Sequence, residues 1–201
     1  TCNEMISNKL DNLEFNFSQT WRRNKIDLNC NRHFDVFRNF NVIPEFCFGC
    51  FKIQIELVSV LDLFKLYFIF DNLDLKDNRS RKCLIEMRSF GNGNYKGIIY
   101  CDGYEEAKLI YKKINTISKN ILQKKTIFKV KRGCTEFGKS YPDYKNINKR
   151  PQDFMKYDND WKKKENIIDR KLPIKNRINQ RIISETIKGV SLNDFLIMKN
   201  W

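Results

Sequence analysis

Apolar and polar residues alternate over 51–57, FKIQIEL, where Phe51, Ile53, Ile55 and Leu57 take turns with Lys52, Gln54 and Glu56. A period of two marks a strand with one face buried. Ser59 stands where it can cap a helix, and from Val60 to Phe70 nearly every position is apolar, apart from Asp62 and Lys65. A helix apolar almost all round is buried on more than one side. The polar run 71–81 predicts a loop. Alternation returns over 82–88, where Cys83, Ile85 and Met87 mark a second strand. Gly91 and Gly93 suit a hairpin, and 95–101, YKGIIYC, gives a third strand. Asp102 with Glu105 three residues on has the form of a capping box. The helix it opens, near 103–118, sets Ala107, Ile110, Tyr111, Ile114 and Ile117 on one stripe. A fourth strand near 126–132 alternates Phe128 and Val130 with Lys129 and Lys131.

The element order is β-α-β-β-α-β. It predicts an α+β, ferredoxin-like domain (split β-α-β, or βαββαβ), an antiparallel sheet with two helices on one face and the other face open. The chain divides into an N-terminal extension over 1–46, the core domain over 47–134 and a C-terminal arm over 135–201. In the first, Phe34, Phe37 and Phe40 have the spacing of a short helix packed on the core. In the arm, 135–165 interleave Tyr141, Tyr144, Phe154, Tyr157 and Trp161 with lysines and arginines, and little regular structure is expected there. Pro173 opens a last helix carrying Ile174, Ile178, Ile182 and Ile187 and ending at Gly189.

On the third strand, Lys96-Gly97-Ile98-Ile99-Tyr100 resembles the RNP1 stretch of the RNA-recognition-motif family. That family sets aromatics at the third and fifth positions of the stretch, where bases stack. Ile98 and Tyr100 occupy them here. The resemblance implies a base-stacking role for Tyr100 on the open face.

Charge adds a partner. The chain carries 38 Lys and Arg against 24 Asp and Glu, a net charge of +14. Residues 1–50 balance at six basic and six acidic, so the excess lies further on. No acid occurs between Glu106 and Glu136, a stretch with nine basic residues. A solvated face normally mixes signs, whereas a single sign points to a polyanion. The candidate nucleic-acid-binding residues are Lys96, Tyr100, Lys108, Lys112, Lys124, Lys125, Lys129, Lys131 and Arg132. Single-stranded RNA is the favoured partner, and protein subunits of a larger assembly are the other. No run of about 18 apolar residues occurs and no secretory signal is read, so no membrane partner is expected and the location is intracellular, in the cytoplasm. One histidine, His33, and no nucleophile-elbow, Walker or zinc-protease motif leave no catalytic residue to assign.

Seven cysteines without a secretory signal argue for reduced thiols, and an odd number cannot all pair internally. Cys47-Phe-Gly-Cys50 precedes the first strand, and Cys30-Asn-Arg-His33 lies upstream. Tight turns of this spacing aim two donors at one ion. In the expected sheet Cys134, after the fourth strand, returns beside Cys47 and Cys50. Cys47, Cys50 and Cys134, with Cys30 or His33, are therefore candidate metal ligands. The metal would be zinc, or an iron–sulfur cluster if every ligand is a thiolate; the alternative is no cofactor, the cysteines packing as small hydrophobes. Such a site would stabilise the binding module, or make the chain a zinc or iron–sulfur protein with chemistry of its own. Cys83 and Cys101 are expected at the far end of the sheet, pointing into the core.

Overall fold

The computed structural model of the chain describes residues 17–22, 24–26, 28–87, 93–172, 181–183 and 189–201. In chain order, strands β1 (Gln19–Arg22) and β2 (Asn24–Ile26) precede helices α1 (Cys30–Phe40) and α2 (Glu45–Gly49). Strand β3 (Cys50–Leu57) leads to helix α3 (Val60–Asn72), and β4 (Arg81–Ile85) and β5 (Tyr95–Asp102) to helix α4 (Tyr104–Ser118). After β6 (Ile127–Arg132) come the short helices α5 (Thr135–Ser140) and α6 (Pro142–Lys145), then α7 (Trp161–Lys171), β7 (Arg181–Ile183) and α8 (Leu192–Lys199).

The fold is α+β, with a five-stranded antiparallel sheet in the order β1-β4-β5-β3-β6. The strands and helices expected between 51 and 132 fall close to where the periodicity places them, except that β4 ends at Ile85 and leaves Met87, expected to face inward, exposed. A four-stranded ferredoxin-like sheet does not describe the whole, because β1, from the segment expected to be an extension, is added at one edge beside β4. Phe51, Ile53, Ile55 and Leu57 of β3 pack with Leu63, Leu66, Tyr67 and Phe70 of α3 and with Ala107, Ile110 and Ile114 of α4 in one buried cluster. Both helices therefore cover the same face. Ser59 caps α3 as expected, its hydroxyl accepting the Asp62 N–H at 3.2 Å. The start of α4 differs from expectation. Glu106, one residue past the predicted capping partner, accepts the Asp102 N–H, and Gly103 at φ 90° makes the bend into the helix. Helix α3 crosses β5 at Gly97, where a side chain would collide with Leu66 and come within 3.1 Å of Phe70.

A buried polar knot fastens β1 to the rest. Arg22, fully buried, pairs with Asp71 at the end of α3 and, at 3.1 Å, with Asp194 of α8. It also donates to the Gly189 carbonyl at 2.8 Å and lies over the Tyr67 ring. Asp194 closes a capping box with Ser191 at the head of α8.

Three expectations are corrected. The stretch 135–171 is largely helical, because its aromatics have somewhere to pack: Tyr144, Tyr157 and Trp161 all meet Phe48, and Phe154 meets Phe51 and Tyr104. Within the predicted last helix, 181–183 instead form a strand paired with 24–26, adjacent β-branched residues favouring that conformation once a partner is present. The remainder of that predicted helix lies outside the described residues, as do the hairpin tip and Cys2. Cys101 is at the same end of the sheet as Cys50, not the far end, because antiparallel β5 sets it opposite Phe51. It is buried, as is Cys83.

Candidate nucleic-acid interface

The face of the sheet turned away from α3 and α4 carries the alternate residues of each strand. Register makes two rows across it. One runs Tyr100, Lys52, Lys131; the other runs Trp21, Lys82, Ile98, Gln54, Lys129. Tyr100 and Trp21 stack with ring centroids 5.7 Å apart and planes 13° from parallel. The Lys82 ammonium lies 4.7 Å from the Trp21 ring centre and 5.9 Å from that of Tyr100. All three side chains are half-buried. Trp21 is the aromatic that the pattern along the chain did not reveal. It comes from β1, whose inward residues are Thr20 and Arg22, so the usual apolar-inside signal is inverted there.

Beside the stack, Lys131 donates to Gln54 at 3.0 Å, Gln54 to Glu56 at 2.8 Å, and Lys129 reaches both Glu56 oxygens at 3.0 Å. One carboxylate thus serves a group of lysines. Among the described residues, no carboxylate pairs with Lys52 or Lys131. Burial pushes the Lys131 ammonium below its ordinary pKa, and the positive charges of Lys52, Lys96 and Lys129 push it the same way. A cluster that lowers its own proton affinity is positioned to gain from an anion. A groove of about 320 Å³ runs along the outer edge of β6, with Lys129, Lys131, Lys145 and Asn148 among its walls.

The other candidate residues are distributed differently. Lys96 is on the open face but buried, its ammonium 2.9 Å from Glu86. Arg132 points to the opposite side. It is buried, donates to the carbonyls of Phe48 and Met155, and lies over the rings of Phe48 and Tyr144. The inward phase of β6 explains this, since Arg132 pairs with core residue Phe51. Lys108 and Lys112 belong to α4, on the helix-covered side, where Lys108 pairs with Glu105 at 3.2 Å. Lys112, Lys124 and Lys125 are exposed.

Cys47, Cys50 and Cys134 lie at the end of the sheet where β3 begins and β6 ends. The turn over Cys47–Cys50 is closed by the Cys50 N–H donating to the Cys47 carbonyl. The Gly133 N–H donates to the Cys50 carbonyl at 2.8 Å, which brings Cys134 beside that turn as expected. Cys47 is buried among Ile43, Phe137 and Tyr144, with Cys134 packed against them. Burial raises the Cys47 thiol well above its usual pKa, with further upward pushes from Cys50, Cys134 and Cys30. Burial likewise brings Cys50 to about 11, against a downward pull from Lys52. Cys30, Cys50 and Cys134 also bear electrostatically on Tyr100, whose hydroxyl is raised mainly by burial.

His33 belongs to another neighbourhood. Its ring stacks on Phe46, and Nδ1 is 3.4 Å from the Arg32 guanidinium. Arg32 in turn pairs with Glu165 and, at 2.7 Å, with Asp169 of α7. Burial lowers the His33 pKa to about 4, with Arg32 adding to the effect. The Arg32 guanidinium beside Nδ1 opposes a second cation at that nitrogen, while Nε2 is buried. Among the described residues, no three His, Cys, Asp or Glu side chains stand ready-arranged around a metal position.

Among the described residues, no helix is long and apolar enough to cross a membrane. Comparison of the chain with protein-family models, curated proteins and solved structures finds no match.

Proposed function

We propose that this chain is a single-stranded nucleic-acid-binding module, with RNA as the favoured ligand, using the face of its sheet turned away from α3 and α4. The observation that carries the reading is the Trp21–Tyr100 stack with Lys82 over it, in register with Lys52 and Lys131. Aromatic platforms flanked by cations are what unpaired bases and their phosphates require. Lys129 and the groove beside β6 extend the positive track towards Lys145. With β1 set aside, the remaining order β4-β5-β3-β6 supports reading the core as a ferredoxin-like split β-α-β unit, and the cysteine content supports an intracellular setting. The helix-side lysines Lys108, Lys112, Lys124 and Lys125 take a lesser part, adding long-range attraction rather than direct pairing with the strand.

Fluorescence anisotropy with labelled single-stranded RNA and DNA, over a salt series, tests the proposal. Tyr100→Ala should weaken binding by about 5–150-fold, corresponding to the roughly 1–3 kcal/mol of one stacked base, with the salt slope unchanged. Lys52→Ala with Lys131→Ala should instead flatten the slope by about one unit for each phosphate no longer neutralised. If the wild-type chain retains neither strand at low salt, the basic face is a docking surface for an acidic protein and the proposal fails.

A further inference from the structure

We propose that Cys30, Cys47, Cys50 and Cys134 form a four-thiolate site for one zinc ion, independent of the nucleic-acid reading. Three separate chain segments bring these residues together. Cys47 and Cys50 bracket the turn that opens β3, and that turn is fixed by the Cys50 N–H to Cys47 carbonyl bond. Cys134 follows β6, held alongside by the Gly133 N–H to Cys50 carbonyl bond at 2.8 Å. Gly133 itself has φ 52°, and a side chain on it would collide with the Tyr144 ring, so the backbone there passes close beneath Tyr144. Cys30 begins α1, whose Phe34 and Phe37 pack in the same cluster as Cys47 and Cys134.

The chemistry favours a soft cation. All four residues are thiols rather than disulfides. Four thiolates around one divalent ion match the closed tetrahedral set of a structural zinc site, at about 2.3 Å from each sulfur. Thiolates crowded at one corner repel one another, and a cation placed between them removes that repulsion. Lys52, two residues along β3 from Cys50, would offset part of the site's net negative charge. The reaction is Zn²⁺ with four thiols giving the tetrathiolate complex and four protons, so affinity should climb with pH. The sulfurs must turn about their Cα–Cβ bonds to reach a common centre, since they are not drawn up around one. The half-buried Cys50 and Cys134 and the exposed Cys30 have room for this, while Cys47 is buried and fixed. His33 is left out, because the Arg32 guanidinium lies 3.4 Å from its Nδ1 and opposes a further cation there.

Cobalt(II) titration of the full, reduced chain is the test, followed by displacement with zinc. The expected result is one cobalt per chain with the charge-transfer and strong d–d bands of a tetrahedral thiolate site, lost on adding zinc. Cys50→Ser should abolish the thiolate spectrum. Cys30→Ser, at an exposed position where folding is little at risk, should weaken zinc affinity by at least the roughly 10–100-fold that loss of an outer-shell partner costs. Far-UV circular dichroism confirms that each variant is folded. His33→Gln should leave the spectrum unaltered. Absence of a thiolate–cobalt spectrum in the wild-type chain overturns the proposal, as does its persistence in folded Cys50→Ser, or an unchanged zinc affinity in Cys30→Ser.

Discussion

Arg22→Ala should destabilise the fold by about 3–5 kcal/mol, the usual cost of removing one partner from a buried ion pair. The guanidinium is fully buried and stands between two carboxylates, Asp71 and Asp194, that are themselves almost wholly out of water. Without it, two like charges face each other across a dry gap, and the Gly189 carbonyl loses a donor. Urea unfolding monitored by circular dichroism measures the loss. A loss below about 1 kcal/mol would mean that water readily reaches the carboxylates. Adding Asp71→Asn and Asp194→Asn to an Arg22→Met background should recover much of the deficit, because a fully neutralised site avoids the desolvation of unpaired charge.

Acid should weaken the protein well before ordinary carboxylates titrate. The His33 pKa falls from 6.5 to about 4 in the folded chain, principally because the ring is buried. Between those values the unfolded chain binds a proton that the folded chain refuses, so stability rises with pH across this window and is lost on going down. The loss amounts to about 3 kcal/mol by pH 4. Below that, Glu165 contributes. Burial alone would raise its pKa, but hydrogen bonds from the Glu45 N–H, Tyr157 and Arg32 hold it below 4.5. Its stabilising effect is present above 4.5 and disappears as pH falls through the depressed value. Urea midpoints at several pH values should therefore fall steeply from 6.5 to 4, and His33→Gln should flatten that part of the curve. An equally steep curve in the variant would show that the slope originates elsewhere.

The core was legible because its strands keep one rule. In β3 every second residue is apolar and buried, and the same rule recovers β5, while the helical spacing of Ala107, Ile110 and Ile114 recovers α4. At β1 the rule reverses: Thr20 and Arg22 face inward and Trp21 outward, so only the distant carboxylates that neutralise Arg22 explain the strand. The open face suffered from the same blind spot, its second aromatic being on the one strand that could not be read. Arg132 was misplaced for a related reason. A charged residue in an inward phase looks like surface until the carbonyls and rings that receive it are known. The cysteine corner was more accessible, since strand order alone carries Cys134 back to Cys50, whereas the surroundings of His33 could not be read without the Arg32 network from α7.

The knot at Arg22 has a kinetic consequence. It joins residues 172 positions apart in the chain, and β1 meets β4 only after the hairpin of β4 and β5 has a face to offer. Closing so long a loop yields little until the inner sheet and its two helices exist, so the knot should form after the rate-limiting barrier. Stabilisation gained that late acts almost entirely as a brake on unfolding. In stopped-flow experiments Arg22→Ala should refold at nearly the wild-type rate and unfold about 100-fold faster or more, making these two distant segments a latch that sets how long the folded molecule lasts.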